Sequence, residues 1–137
     1  PHFAAKNCGK EINFFEVVDF CQKMIYTSKT KGDYLLIESA GGAMTPINDT
    51  KTFLDLAKEL KIPTLLVSAP YLGSISHTLC TIAALEKHKI NIEKIIINQH
   101  SISNNQPTSD QQFAETIRNF SKIKTVLISD FLQELKL

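Results

Sequence analysis

Hydrophobic residues recur at spacings of three and four in some segments of the chain and form short unbroken runs in others. The first pattern predicts amphipathic helices. The second is typical of strands buried on both faces of a parallel sheet. Helices are predicted at 13–28, 50–60, 74–88, 109–120 and 131–135, and strands at 33–38, 64–68, 94–98 and 125–128. Because strands and helices alternate, we predict a single α/β domain whose parallel sheet has flanking helices.

Side chains at the predicted helix starts fit this assignment. Asn13 is the predicted N-cap of the first helix, with Glu16 three residues later as in a capping box. Asp49 is predicted to cap the second helix. The segment Asp33–Glu38 is expected to be a strand buried on both faces, because its apolar residues are continuous.

Composition narrows the classes of function. Of 137 residues, 43% are hydrophobic and 21% are charged, which is ordinary for a soluble globular protein. A net charge of +1 gives no electrostatic reason to expect nucleic acid or a membrane surface as a partner. The three cysteines are irregularly spaced, which favours reduced thiols in a cytoplasmic protein over disulfides or a zinc site. Cys21 and Cys80 lie on apolar helical faces and are expected in the core.

The loop Glu38-Ser39-Ala40-Gly41-Gly42 is the first candidate site, because it follows a predicted strand. In open α/β sheets ligands bind at the carboxyl ends of strands. Glu38 could bind Mg²⁺, which prefers oxygen ligands and keeps several waters. Small residues at 39–42 let the backbone approach a phosphate. The alternative is an ordinary turn with no ligand.

The turn from Tyr71 to His77 is the second candidate, since a glycine there separates a strand from a helix. Gly73, Ser74 and Ser76 surround a helix N-terminus, where free N–H groups favour an anion. Simple N-capping by serine is the alternative. A third candidate, Asn98-Gln99, follows a strand with amides that suit a purine edge, unless Asn98 only makes a local turn.

These motifs, in this order, resemble dethiobiotin synthetases, and the resemblance covers nearly the whole chain, weakening after Asn98. It implies a P-loop nucleoside-triphosphatase fold and a cytoplasmic homodimer. It also implies ring closure on diaminononanoate, in which CO₂ forms a carbamate, ATP phosphorylates it, and the second amine displaces the phosphate. Mg²⁺ and ATP are the implied cofactor and co-substrate.

Residue roles follow from the same resemblance. Glu38 would bind Mg²⁺ beside the triphosphate, and Ser39, Ala40 and Gly41 would line the nucleotide site. Asn98 and Gln99 would face adenine. Gly73, Ser74 and Ser76 would hold the carboxylate of the diamine across the dimer interface.

The chain departs from the family at several positions. Ser39 replaces a usual glycine, Ser76 replaces a usual asparagine, and residues 127–131 lack the usual glycine and proline near the base. No P-loop is present, since Gly9-Lys10 has neither the preceding glycine nor the following hydroxyl residue. The resemblance places the P-loop, the catalytic lysine and a second metal-binding acid before Pro1.

We therefore expect a C-terminal part of the enzyme, with no catalytic residue of its own and weak ATP binding. Two alternatives stay open. One is a related ATP-dependent amidating synthase of corrin biosynthesis, which usually has Ser-Pro in place of Gly42-Ala43. The other is a non-catalytic remnant that serves as a dimerisation or regulatory domain, which Ser39 and Ser76 would suit.

Overall fold

A computed structural model describes residues 1–98 and 109–135 of the chain. The described structure groups into two compact units, Pro1–Ile62 and Pro63–Leu137. The prediction of one domain remains a prediction. None of the described helices is both long and apolar enough to cross a membrane.

The first unit consists of three helices, α1 (His2–Asn7), α2 (Phe14–Lys31) and α3 (Phe53–Leu60). Asn13 caps α2 as predicted, because its Oδ1 accepts the N–H of Phe15 at 3.0 Å while its Nδ2 donates to Glu16 at 3.1 Å. The helix continues past the predicted end to Gly32, whose φ of 73° ends it in the left-handed region.

The start of α3 differs from the prediction. Thr52, not Asp49, is the N-cap, and it forms a reciprocal capping box with Asp55. Asn48 explains the shift, because its Oδ1 accepts the N–H groups of Thr50 and Lys51 and holds this stretch in a turn. Asp49 instead forms ion pairs with the α1 region, and the hydrogen bond from Lys6 lowers the pKa of its carboxyl.

A small apolar core joins α2, α3 and the loop between them. It contains the buried residues Phe14, Val18, Ile47 and Leu56. Cys21 is also buried, as predicted, and burial raises the pKa of its thiol.

The predicted strand at Asp33–Glu38 is not a strand in the structure. The segment starts against the end of α2, where Ser28 Oγ donates to the carbonyl of Asp33 at 2.7 Å. Tyr34 and Leu36 are 104% and 85% exposed, so neither lies in a core. A strand is held by a neighbouring strand, and among the described residues none pairs with this segment.

The second unit contains a parallel sheet in the order β1-β2-β3, formed by Thr64–Ser68, Ile92–Ile97 and Thr125–Leu127. The helices are α4 (Ser74–Lys87), α5 (Asp110–Ser121) and α6 (Ile128–Glu134). The predicted α/β class with a parallel sheet and flanking helices is confirmed.

One apolar core fills the space between the sheet and the pair α4 and α5. Its buried members are Ile82, Ile95, Ile97, Phe113, Ala114 and Ile117. Complete burial of one such aliphatic or aromatic side chain contributes about 1.5–3 kcal/mol. Packing of α6 against β2 and β3 covers part of the sheet, and Glu134 there binds Lys94 and Lys124.

The prediction that Cys80 lies in the core is wrong, because Cys80 of α4 is exposed. Phe120 of α5 is also at the surface, with 72% of it exposed. Helical spacing identifies the apolar face of a helix but not how much of that face another element covers.

Candidate functional site

The loop that follows Glu38 is held in one shape by its own backbone. Gly41 has a φ of 109°, and a Cβ at this position would lie 2.7 Å from Thr45 Oγ1. Ser39 Oγ donates to the carbonyl of Gly41 at 2.6 Å, and Thr45 N–H donates to the carbonyl of Gly42 at 2.9 Å. Glycine is therefore required at position 41, and position 42 has open space.

The same loop is fastened to the start of α3. Leu54 N–H donates to the carbonyl of Ala43 at 2.7 Å, and Phe53 N–H donates to the carbonyl of Thr45 at 3.2 Å. These bonds satisfy N–H groups of the first helical turn, which have no partner within a helix. The first turn of α3 thereby fixes where the small-residue loop lies.

Glu38 presents a carboxylate without a partner at the start of this loop. It is exposed, and it makes no hydrogen bond or ion pair with any described residue. Within the described parts of the chain, no group of three or more His, Cys, Asp or Glu side chains could hold a metal. A single carboxylate suits Mg²⁺, which keeps waters and substrate oxygens as its other ligands.

The loop places Ser39, Ala40 and Gly41 together, with exposed backbone, next to Glu38. The Ser39 hydroxyl and the Gly41 N–H are both used within the loop, since the N–H of Gly41 donates to the carbonyl of Ser39 at 3.0 Å. Ser39 therefore contributes to loop shape and leaves the Glu38 carboxylate open.

The turn between β1 and α4 is built around Gly73 and Ser74. Gly73 is the N-cap of α4 with a φ of 89°, a value that favours glycine. Ser74 is 1% exposed, and its Oγ donates to the carbonyl of Tyr71 at 2.6 Å and accepts the N–H of Tyr71 at 3.0 Å. Its hydroxyl thus shapes the turn and is not available to a ligand.

The hydroxyl groups of Thr78 and Ser68 connect this turn to the end of β1 through hydrogen bonds. Thr78 Oγ1 donates to the carbonyl of Ser74 at 2.7 Å and lies 2.6 Å from Ser68 Oγ. Thr78 is buried, so its bond to the carbonyl of Ser74 is shielded from water, and its contact with Ser68 is partly buried. They fix the first turn of α4 against the carboxyl end of β1.

Ser76 differs from Ser74, because it is exposed and its hydroxyl has no partner among the described residues. The N–H groups of Ile75 and Ser76 likewise have no acceptor within the part of the chain that the structure describes. Of the three residues predicted at this turn, Gly73 and Ser76 have groups that an anion could contact. Ser74 contributes only by holding the turn through its bonds to Tyr71.

Sequence reasoning missed the contact between Tyr71 and His77. The Tyr71 hydroxyl and His77 Nδ1 lie 3.0 Å apart, and a Cβ on Gly73 would be 3.6 Å from His77 Cε1. Both side chains are exposed and lie over the start of α4. The signal available in the sequence was their position on either side of a glycine turn.

Asn98 lies directly after β2, at the edge of the sheet where β1 also ends. Its N–H donates to the carbonyl of Ser68 at 2.7 Å, which extends the β1–β2 pairing by one residue. The structure thus brings Asn98 to the same sheet edge as the Gly73 turn. Gln99 lies outside the described residues.

Comparisons with known proteins match this chain to one family. The model of the AAA domain family matches residues 1–135. An ATP-dependent dethiobiotin synthetase (BioD) of Acidiphilium cryptum is 41% identical over 98 residues, which is 72% of this chain and 43% of the relative. The synthetase of Halalkalibacterium halodurans is 39% identical over 122 residues, 88% of this chain and 48% of the relative.

A third synthetase, from Methylobacterium nodulans, is 30% identical over 129 residues, which is 94% of this chain and 56% of the relative. The chain therefore spans about half the length of the curated relatives that it matches.

Proposed function

Because the chain belongs to the AAA domain family, and its synthetase relatives are ATP-dependent by name, we propose that it is the C-terminal part of a dethiobiotin synthetase. Its activity would be the ATP-dependent closure of a ureido ring on diaminononanoate with CO₂, in a cytoplasmic homodimer. The observation that carries the proposal is the unpartnered Glu38 carboxylate at the start of a shaped, small-residue loop.

In the proposed site, Glu38 would be the one protein ligand that this chain gives to Mg²⁺. The donor fits, because it is an exposed carboxylate without a competing cation among the described residues. When bound, the ion would spread the negative charge of the phosphate groups. Ser39 and Ala40 would bring backbone N–H groups to the nucleotide. Gly41, whose own N–H donates to the carbonyl of Ser39, would line the site with little bulk.

We propose roles for residues of the second unit as well. Asn98 would face adenine, and the same role is proposed for Gln99, which lies outside the described residues. Gly73 and Ser76, together with the free N–H groups at the start of α4, would hold the diamine's carboxylate near a positive helix end. Ser74 would act through the turn that it shapes. This chain would orient the reactants, while the groups that move protons would lie elsewhere in the synthetase.

The test is titration of the isotope-labelled chain with Mg·ATP, followed by NMR, comparing wild type with Glu38→Gln. We expect weak binding in the wild type, with shifts centred on residues 38–42, and at least about tenfold weaker binding in the variant, since a charge-assisted contact is lost. Glu59→Gln is the matched control, because Glu59 is an exposed carboxylate of α3 away from the loop.

Equal binding by Glu38→Gln and wild type would contradict the role of Glu38. Binding of neither Mg·ATP nor the diamine, even in a longer polypeptide that restores the length of the relatives, would favour the non-catalytic remnant. Dethiobiotin formation at an ordinary enzymatic rate by this chain alone would show that its catalytic groups had been assigned wrongly.

A further inference from the structure

The imidazole of His77 lies over the glycine at which α4 begins. A helical side chain covers the turn that precedes its own Cα, and a Cβ on Gly73 would lie 3.8 Å from His77 Nε2. The backbone of His77 is fixed as well, because its N–H donates to the carbonyl of Gly73 at 3.1 Å. The ring therefore covers the end of α4 at which the N–H groups of Ile75 and Ser76 have no acceptor among the described residues.

Tyr71 engages one nitrogen of this ring and leaves the other open. Its hydroxyl lies 3.0 Å from His77 Nδ1, and the two ring centroids are 5.8 Å apart. The backbone of Tyr71 is held in place, since its carbonyl accepts the N–H of Ser74 at 3.0 Å and the Ser74 hydroxyl at 2.6 Å. Within the described parts of the chain, His77 Nε2 has no hydrogen-bond or ion-pair partner.

The bond at Nδ1 determines what Nε2 can do. A neutral imidazole carries one hydrogen, and the partner of one nitrogen decides which nitrogen holds it. When the Tyr71 hydroxyl donates to Nδ1, the hydrogen is on Nε2, which is then a donor. An anion near the positive end of α4 favours this arrangement, because Nε2–H can donate to it and a bare Nε2 would repel it.

We propose that His77 Nε2–H is a further binding group for the diamine's carboxylate, and that Tyr71 is the positioning residue that holds the imidazole in this tautomer. The identity of the substrate rests on the proposed function. A carboxylate accepts hydrogen bonds at about four lone-pair sites. The hydroxyl of Ser76 and the N–H groups of Ile75 and Ser76 do not fill them, so His77 supplies a donor that the turn otherwise lacks.

A purely structural role for the pair would have different consequences. Both side chains are exposed, with Tyr71 at 55%, so water can replace their hydrogen bond and its loss should change stability little. A structural pair would shift the melting temperature and leave ligand affinity unchanged. A binding pair should do the reverse.

The experiment is an NMR titration of the isotope-labelled 137-residue chain with nonanoate, which has as many carbons as the proposed substrate and no amine. Long-range proton–nitrogen spectra of the imidazole show which ring nitrogen of His77 carries the hydrogen. We expect the Nε2–H form, and a shift of Nε2 on addition of nonanoate. The neutral alcohol 1-nonanol is the control for burial of the methylene groups and should not move Nε2.

His77→Gln and His77→Asn separate the two ring nitrogens. The glutamine amide reaches the position of Nε2, whereas the shorter asparagine amide reaches only that of Nδ1. We expect nonanoate to bind at least about tenfold more weakly to His77→Asn, because a hydrogen bond to a charged group is lost, and within about threefold of wild type to His77→Gln. His88→Gln, at the far end of α4, is the matched control and should bind as wild type does.

Tyr71→Phe tests the positioning role, because it keeps the ring and removes only the hydroxyl. We expect a mixture of imidazole tautomers and about threefold weaker binding. Combined with His77→Asn, it should cause no further loss, since Tyr71 acts through His77. Melting temperatures of the single variants should stay close to that of the wild type.

Equal binding of nonanoate by His77→Asn and wild type would overturn the inference. So would an Nδ1–H imidazole in the bound chain, an additive loss in the double variant, or no nonanoate binding by the wild type. None of these measurements requires ATP. If nonanoate binds through His77, yet a longer polypeptide that restores the length of the relatives forms no dethiobiotin, the proposed function is refuted and the carboxylate-binding role of His77 stands.

Discussion

Ser74→Ala is expected to destabilise the second unit, although the sequence suggested a ligand-binding role for this serine. The side chain is 1% exposed, and both of its hydrogen bonds are to the backbone of Tyr71, at 2.6 and 3.0 Å. Alanine fills the site without strain but cannot replace either bond. The carbonyl of Tyr71 still accepts Ser74 N–H at 3.0 Å, whereas the N–H of Tyr71 loses its acceptor.

The expected loss follows from that one unpaired group. The bond from Tyr71 N–H to Ser74 Oγ is partly buried, and leaving a buried donor without an acceptor costs about 1–3 kcal/mol of unfolding free energy. With a cost of about 1.5 kcal/mol and a urea slope of about 1.5 kcal/mol per molar, the unfolding midpoint should fall by about 1 M. Far-UV circular dichroism during urea titration measures the midpoint, and exchange at the α4 amides assigns the loss to this unit.

Ser76→Ala is the matched control, two residues further along the same helix. Its hydroxyl is exposed and has no partner among the described residues, so its removal should change the unfolding free energy by less than about 0.5 kcal/mol. An unchanged midpoint for Ser74→Ala would refute the structural role. Equal destabilisation by the two variants would show that the distinction between a shaping serine and an open one is wrong.

Two further outcomes follow from the loop and from α6. Gly41→Ala should lower the free energy of unfolding by about 1–3 kcal/mol or reshape the loop, because it forces a side chain to a φ of 109° and against Thr45 Oγ1. Thermal unfolding measures the effect, with Gly42→Ala as the control. Equal melting temperatures for the two variants would refute the argument. The hydrogen bond from Lys94, with help from a second lysine, lowers the pKa of Glu134. The stabilising contribution of Glu134 is therefore present above its unfolded pKa and is lost as pH falls through the folded pKa. Glu134→Gln should flatten the acid side of the stability profile, and an identical profile for wild type and variant would contradict this assignment.

Local signals in the sequence predicted the starts of some helices. Asn13, with Glu16 three residues later, predicted the start of α2, and Asn13 is the N-cap of α2 in the structure. Gly73 marks the start of α4 in the same way. The α/β class followed from the alternation of such elements, which depends on many residues and tolerates error at any one of them.

The predictions that failed depended on neighbouring residues and elements that a local sequence pattern does not specify. The apolar run at Asp33–Glu38 has the composition of a buried strand, but composition does not supply the neighbouring strand that would pair with it. Asp49 is a good capping residue in isolation, and the Asn48 turn moved the helix start to Thr52. Cys80 lies on an apolar helical spacing, which does not say how much of that face another element covers.

For the candidate site, the sequence identified the segments but not the role of each side chain. Ser74 and Ser76 are the same residue type in the same turn, so the sequence does not distinguish them. Only the fold shows that one hydroxyl is directed inward and the other outward, because that depends on the direction in which α4 leaves the turn. The Tyr71–His77 contact likewise requires the turn to bring the two rings together.

Hydrogen bonds from Ser68 through Thr78 to Ser74 hold the end of β1 and the first turn of α4 rigidly together. Sliding β1 along its axis, or tilting α4, would break one buried and one partly buried hydrogen bond. A force applied at either element is therefore transmitted to the other without a hinge between them. The geometry at the Gly73 turn is thus set by the sheet as a whole, and a ligand there would experience the rigidity of β1 and β2 and not the looseness of a surface loop.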